Sequence, residues 1–210
     1  MSKRGILTVV SGFSGAGKGT IIRELMKQYD NYWLSISTTT REPRNGEQHG
    51  VHYFYTTKEQ FEKMIAEDKL VEYASYLDNY YGTPWKYVDE RLNQGKDVIL
   101  EIEIQGAYKV NRKYKDALLI FVTPPNVSQL AERLEKRGTE SKEAIQARLL
   151  KAVEESSGID NYDYILVNDD LETCVKSLHE IVQNEHKRLC RNKDLIDKLR
   201  NELITLSEGE

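Results

Sequence analysis

Cysteine is scarce in this sequence of 210 residues: there are two, Cys174 and Cys190, sixteen apart. That number and spacing fit neither a disulfide framework nor a zinc site, and they suit a reduced, cytosolic setting. Long apolar runs are missing as well. No stretch approaches the roughly twenty residues that a membrane-spanning helix needs, and the apolar part of the opening MSKRGILTVVSG is too short for a signal peptide. Nor is there a large excess of one charge: 30 Lys and Arg against 34 Asp and Glu leave a net −4, which disfavours non-specific binding to nucleic acid. No internal repeat or low-complexity linker interrupts the chain. The four histidines supply no catalytic dyad, since His49 and His52 fall in a hairpin-like stretch and His179 and His186 lie at helical spacing. These absences describe a cytoplasmic protein that has neither nucleic acid nor membrane as a partner.

What is present is a periodic, strongly charged chain. Charged residues make up 30% and hydrophobic residues 39%, a balance that implies the large solvated surface of a lobed molecule. Strand-like runs occur at ILTVV (6–10), WLSIS (33–37), DVILEIEI (97–104), ALLIFV (117–122) and YILV (164–167), with helical patterns near 18–29, 105–114 and 171–189. Strands alternating with helices specify an α/β fold, a parallel sheet flanked by helices on both faces. Two stretches break the rhythm. Residues 36–90 are rich in Tyr, Thr, Arg and Gly, with short strands at HGVHYFY and LVEYASYL and a helix at TTKEQFEKMIAEDK opened by a Thr57–Gln60 capping box. Residues 126–158 follow TPPN and form a charged helical pair, the composition of a mobile lid. The expected organisation is a core of 1–35, 91–125 and 159–210, an inserted lobe of 36–90 and a lid of 126–158, with a polar helix after Cys190 that frays at LSEGE.

The stretch SGFSGAGKGT (11–20) carries the first chemistry. Gly12, Gly17 and Lys18 fit G-x-x-x-x-G-K between a strand and a helix, a loop whose backbone amides cradle phosphates ahead of a helix N-terminus. ATP is therefore expected on Gly12, Phe13, Ser14, Gly15, Ala16, Gly17, Lys18, Gly19 and Thr20, with Lys18 at the β- and γ-phosphates. Gly19 stands where a magnesium-binding hydroxyl is usual. Mg²⁺ dehydrates reluctantly and commonly keeps its waters, so MgATP is expected with Thr20 or a water in place of that hydroxyl. Glu101, at the end of a central strand, either orders magnesium waters or orients Arg41.

Arg41 and Arg44, three apart across a proline, can grip one phosphate with paired charge-assisted bonds, or pair with Glu42 and Glu47 on the surface. With these residues the sequence resembles guanylate kinase. The matching pieces are SGFSGAGKGT, SISTTTREPRNGEQHGVHYFY, LVEYASYLDNYYGTP, VILEIEIQGA, RLEKRGTES and VNDD, in order over about residues 5–185. The resemblance implies a P-loop kinase fold and transfer of the γ-phosphoryl group of MgATP to GMP, and to dGMP, giving ADP and GDP. It places Arg41, Arg44, Tyr53 and Tyr81 on the GMP phosphate, and Ser37, Glu72, Thr83 and Glu103 on guanine. It places Asn168 near adenine, although a turn residue ahead of a helix, with Asp169 or Asp170 as the cap, is an equally physical reading. A carboxylate such as Glu72 accepts from both guanine N1–H and the N2 amino group, whereas adenine would leave it unpaired. Such sites reject the wrong analogue by roughly 10⁴ or more.

An acceptor phosphate oxygen is already anionic, so no general base is required and catalysis reduces to positioning and charge neutralisation. The cations expected to act are Lys18 and Arg41 with Arg133, Arg137 and Arg148, which resemble the family's lid arginines. Two positions depart from the family pattern. Phe13 replaces a common proline, which puts loop rigidity in question, and Glu103 replaces a commoner aspartate. Two other readings fit parts of the sequence: a non-catalytic scaffold domain of the same type, and a sugar-phosphate kinase that would leave Glu72 without a partner.

Overall fold

A computed structural model describes residues 4–76, 78–135 and 142–208. In chain order the elements are β1 (Leu7–Gly12), α1 (Lys18–Gln28), β2 (Tyr32–Leu34), β3 (Thr38–Thr39), β4 (Phe54–Tyr55), α2 (Lys58–Ala66), β5 (Leu70–Tyr76), β6 (Asn79–Pro84) and α3 (Trp85–Asn93). They continue with β7 (Asp97–Glu101), α4 (Ile104–Lys113), β8 (Leu118–Thr123), α5 (Val127–Glu135), α6 (Lys142–Ser156), β9 (Tyr164–Val167), α7 (Leu171–Glu185) and α8 (Lys193–Glu208).

The central sheet runs β2-β7-β1-β8-β9, with every neighbouring pair parallel. Its strands read as continuous apolar runs because both faces are covered. Ile6, Val10, Ile99, Ile120 and Val122 face α1 and α7, where Ile21, Leu25, Val175 and Leu178 complete one core. Leu7, Val9, Val98, Leu100 and Leu119 face the other way, onto Val88 and Leu92 of α3 and Ala107 and Val110 of α4. This is the α/β architecture that alternating strands and helices specify.

The smaller sheet, β4-β3-β6-β5, joins a parallel β3–β4 pair to antiparallel β3–β6 and β5–β6 pairs. Its helix α2 begins with the expected capping box: Thr57 accepts from the Gln60 amide at 3.2 Å, and the Gln60 side chain accepts from the Thr57 amide at 3.3 Å.

Local boundaries differ from the sequence pattern in four places. The run 33–37 gives a strand only over Tyr32–Leu34. The run 97–104 stops being strand at Glu101, because Ile104 turns inward as the first residue of α4. In HGVHYFY only Phe54–Tyr55 pairs as a strand, with an isolated bridge from His49 to Tyr53. Helix α3 has no counterpart among the expected elements, although Val88 and Leu92, four apart, carry its buried face.

Candidate active site

Because the large sheet is parallel, the segments after its strands leave from one edge, the usual place for a ligand in an open α/β sheet. The loop after β1 supplies Gly12 to Gly17, and the turn after β2 leads through Ser37 to Thr39. The turn after β7 supplies Glu101 and Glu103, and the turn after β9 supplies Asn168.

The glycine-rich loop is held from three sides. Phe13 packs edge-on against Phe121 with ring centroids 5.0 Å apart, so the residue that replaces proline is anchored to the core. Asn168, 8% exposed, donates its side-chain amide to the Ala16 carbonyl at 2.7 Å. Arg133 donates to the Asn168 carbonyl at 2.8 Å and reaches the Ala16 carbonyl at 3.5 Å. Gly17, with φ +93°, is required here: a Cβ would lie 2.4 Å from the Asn168 amide nitrogen. Lys18 folds back over the loop and donates to the Gly12 carbonyl at 2.6 Å and the Phe13 carbonyl at 3.2 Å. Burial pushes its pKa below the usual lysine value, opposed by the carboxylates of Glu101, Glu103 and Glu155.

Helix α6 lies across this loop. Arg148 donates to the Ser14 hydroxyl. One turn on, Lys151 donates to Glu103 at 2.6 Å and lies 3.6 Å from Glu155. Arg137 lies outside the described residues. Thr20 is exposed, its hydroxyl accepting from Arg23 at 3.2 Å, and Glu101 is close to Lys18 and Arg23. Asp170, not Asn168, caps α7 by accepting from the Thr173 amide at 2.8 Å.

On the lobe, Arg41 makes a two-pronged contact with both oxygens of Glu47, each at 2.9 Å, and a further bond to the Glu42 carbonyl at 2.7 Å. Its orienting carboxylate is Glu47 rather than Glu101. Glu47 raises the arginine pKa above its usual value, with smaller help from Tyr81. In return the Arg44 amide, then Tyr55 and Arg41, hold the Glu47 carboxyl at about 2. The Arg44 side chain is exposed, and Tyr53 and Tyr81 pack edge to face with centroids 6.1 Å apart.

Glu72 owes its position to a break in β-sheet register. Leu70 pairs with Pro84 and Tyr73 with Gly82, so Val71 and Glu72 together oppose Thr83. A bulge of this kind turns a side chain that simple alternation would send outward. Val71 is 2% exposed in the core and Glu72, its neighbour, 8%. Thr83 donates to the Glu72 carboxylate at 3.0 Å. The other carboxylate oxygen lies against the first turn of α4, so close that a Cβ at Gly106 would be 3.0 Å from it. Burial raises the carboxyl pKa, with Thr83 and Lys109 opposing. A contiguous wall therefore runs from the loop lysine through Glu103 and α4 to Glu72 and β6, which carries Tyr81.

A family model for guanylate kinase matches residues 4–185 of this sequence. The chain belongs to the guanylate kinase family. The guanylate kinase of Latilactobacillus sakei subsp. sakei (strain 23K) is 46% identical over 200 residues, which is 95% of this chain and 98% of its own. That of Carboxydothermus hydrogenoformans is 52% identical over 182 residues, 87% and 89% of the two chains. The crystal structure of guanylate kinase from Anaplasma phagocytophilum superposes with a TM-score of 0.71 at 29% identity, covering 91% of each chain. The chain is accordingly a kinase, and its reaction is the ATP-dependent phosphorylation of GMP to GDP. No helix among the described residues is long and apolar enough to cross a membrane.

Within this guanylate kinase frame, sequence reasoning offered Glu47 as a surface ion-pair partner for Arg41 or Arg44, and the structure shows that pairing at Arg41; what it missed is that Glu47 orients the guanidinium with both carboxylate oxygens. It also missed Lys151 as the partner of Glu103. That pairing joins residues 48 apart in sequence, and no local pattern announces it.

Proposed function

We propose that the phosphorylation of GMP takes place between the Gly12–Thr20 loop and the Arg41–Glu72 wall, with the following division of labour. The loop amides and Lys18 hold the β- and γ-phosphates of ATP, and Asn168 and Arg133 keep the loop in shape. Arg41, already oriented by Glu47, binds the GMP phosphate with Arg44, Tyr53 and Tyr81. Glu72 accepts from guanine N1–H and its amino group, while Ser37, Thr83 and Glu103 complete the base site. On binding, Lys18 exchanges the carbonyls of Gly12 and Phe13 for phosphate oxygens. Arg148, with Arg133 and Arg137, adds positive charge at the phosphoryl group in flight.

The acceptor oxygen needs no deprotonation, so these residues act by holding two phosphates in line and cancelling their repulsion. Mg²⁺ is expected to arrive with ATP. Gly19 offers no hydroxyl, and no group of three or more acidic, His or Cys residues is placed to hold a metal among the described residues. The donors that fit the ion are therefore phosphates and waters, and Thr20 and Glu101 are the residues that would hold those waters. When bound with ATP, the ion would supply positive charge that neutralises the phosphates.

The observation that carries this reading is Glu72: a buried carboxylate, bonded to Thr83 alone among the described residues, beside a helix N-terminus and along a wall that leads to Lys18. An acceptor panel tests it, with GMP, dGMP, AMP and a pentose phosphate each offered with MgATP and ADP release followed. GMP turns over and AMP is rejected by roughly 10⁴. Equal turnover of AMP would overturn the base-site assignment.

A further inference from the structure

Strand β5 forms an edge of the small sheet, and among the described residues β6 is its one neighbouring strand. Its outer side therefore presents backbone groups to no strand. The register shift that turns Glu72 inward lies between Leu70 and Tyr73 of this edge. A slip back to plain alternation would keep Val71 in the core, beside Ala107 and Val110 of α4, and send Glu72 to the opposite face. A strand paired on one side only needs a second support to keep such a bulge.

Helix α4 supplies it. Gly106, Lys109 and Lys113 fall at i, i+3 and i+7, one stripe of the helix, and that stripe faces β5. At Gly106 the missing side chain leaves room for a carboxylate oxygen of Glu72. Lys109 donates to the Tyr73 carbonyl, and its ammonium lies 4.7 Å from the centre of the Tyr73 ring. Lys113 donates to the Leu70 carbonyl at 3.2 Å and to the Asp68 carboxylate at 2.5 Å. Asp68, at φ +50°, is the left-handed residue that leads from α2 into β5. The two lysines thus hold the carbonyls of the two residues that bound the register shift, one at each end. Lys109 is also the cation that opposes the rise in the Glu72 carboxyl pKa caused by burial. The Asp68 side chain is mostly exposed, and ion pairs of that kind add little to overall stability. The effect of the lysines therefore falls on the local register of β5 more than on the fold as a whole. Neither lysine lies in the pieces of sequence that carry the family resemblance.

We propose that Lys109 and Lys113 are positioning residues for guanine recognition: by gripping β5 at Tyr73 and Leu70 they lock the bulge that aims Glu72 at the base. The proposal rests on the base-site role given to Glu72 above. Neither lysine meets a reacting group in that reading. Both act through the carboxylate, so their effect is on affinity for GMP and not on ATP or on the transfer step.

Lys109→Met and Lys113→Met, singly and together, keep the apolar stems and remove the donors. GMP titration calorimetry without ATP and steady-state kinetics read the result. The double variant is expected to bind GMP about tenfold more weakly and each single variant about threefold, in the range of couplings between contacting residues. KM for ATP and kcat at saturating GMP are expected to stay as in the wild type. The double variant Lys109→Arg, Lys113→Arg, which restores the donors, is expected to recover GMP affinity. Introduced together with Glu72→Gln, the two methionines are expected to cost less GMP affinity than they do in the wild type, because the group they position is already impaired. Wild-type GMP affinity in the double methionine variant would overturn the proposal. So would an equal loss with and without the Glu72 carboxylate, or a fall in kcat and ATP affinity that accompanies the loss for GMP, the mark of a merely structural role. Glu72→Gln alone separates the two readings. If it binds GMP as the wild type does, the base-site assignment fails and the lysine role falls with it; if it loses GMP affinity while the methionine variants do not, only the lysine role fails.

Discussion

Replacing Glu72 by glutamine keeps the size of a side chain that is 8% exposed in the β5 bulge and removes its charge. In the ligand-free protein the ionised carboxylate has one hydrogen bond, from Thr83 at 3.0 Å, among the described residues. An amide oxygen can accept the same bond without the cost of a buried charge. Relief of an under-solvated polar group is worth about 1–2 kcal/mol, which for a domain of this size raises Tm by roughly 2–8 °C. The sign with pH follows from the raised carboxyl pKa. The folded state prefers the protonated form, so the contribution of Glu72 to stability is intact below the ordinary carboxylate value and is lost as pH climbs through the raised one. Glutamine has no such dependence, and the variant's advantage should therefore be small near pH 5 and larger at pH 7.5. Affinity moves the other way. In the proposed base site guanine's two donors would each lose a charged acceptor, about 3–4 kcal/mol in sum, which is expected to weaken GMP binding by roughly 10²–10³-fold. Thermal melts from pH 5 to 8 and GMP titration calorimetry without ATP read both effects. A variant no more stable than wild type at pH 7.5, or one that binds GMP within tenfold of wild type, would refute the reasoning.

Lys18→Ala should lower kcat/KM for ATP by roughly 10²–10³-fold with the fold intact, and unchanged turnover would remove the loop from the reaction. Asn168→Ala leaves the Ala16 carbonyl without its 2.7 Å donor, so steady-state kinetics should show a raised KM for ATP with that for GMP unchanged, and Tm should fall by an amount equivalent to about 1–3 kcal/mol. Gly106→Ala puts a methyl 3.0 Å from a Glu72 oxygen while improving helix propensity, so KM for GMP should rise several-fold with no loss in Tm. Phe13→Ala removes the edge contact with Phe121 and should cost about 1–2 kcal/mol in denaturant unfolding, with weaker ATP binding.

Much of this molecule is written locally. The glycine-rich loop is legible because its glycines and lysine act on their immediate neighbours, and the capping box at Thr57 spans three residues. The alternation of apolar strands with helices is legible for the same reason, since each strand needs both faces covered. Even α3, absent from the expected elements, carries a readable signal in Val88 and Leu92. The strand expected through residue 104 shows where local reading stops. DVILEIEI alternates well enough as sequence, and only the packing of Ile104 in α4 ends β7 at Glu101.

Sequence alone determined the α/β class, the glycine-rich loop between β1 and α1 and the candidate residues of the site, because these depend on periodicity and on backbone demands within a few residues. Tertiary structure decided how those residues are held. Asn168 reaches Ala16 across 152 positions, Lys151 reaches Glu103 across 48, and a bulge turns Glu72 inward against Thr83 and α4. The charge state of a carboxylate and the aim of a guanidinium are set by whatever packs within a few ångströms. Those neighbours come together only when the chain has folded.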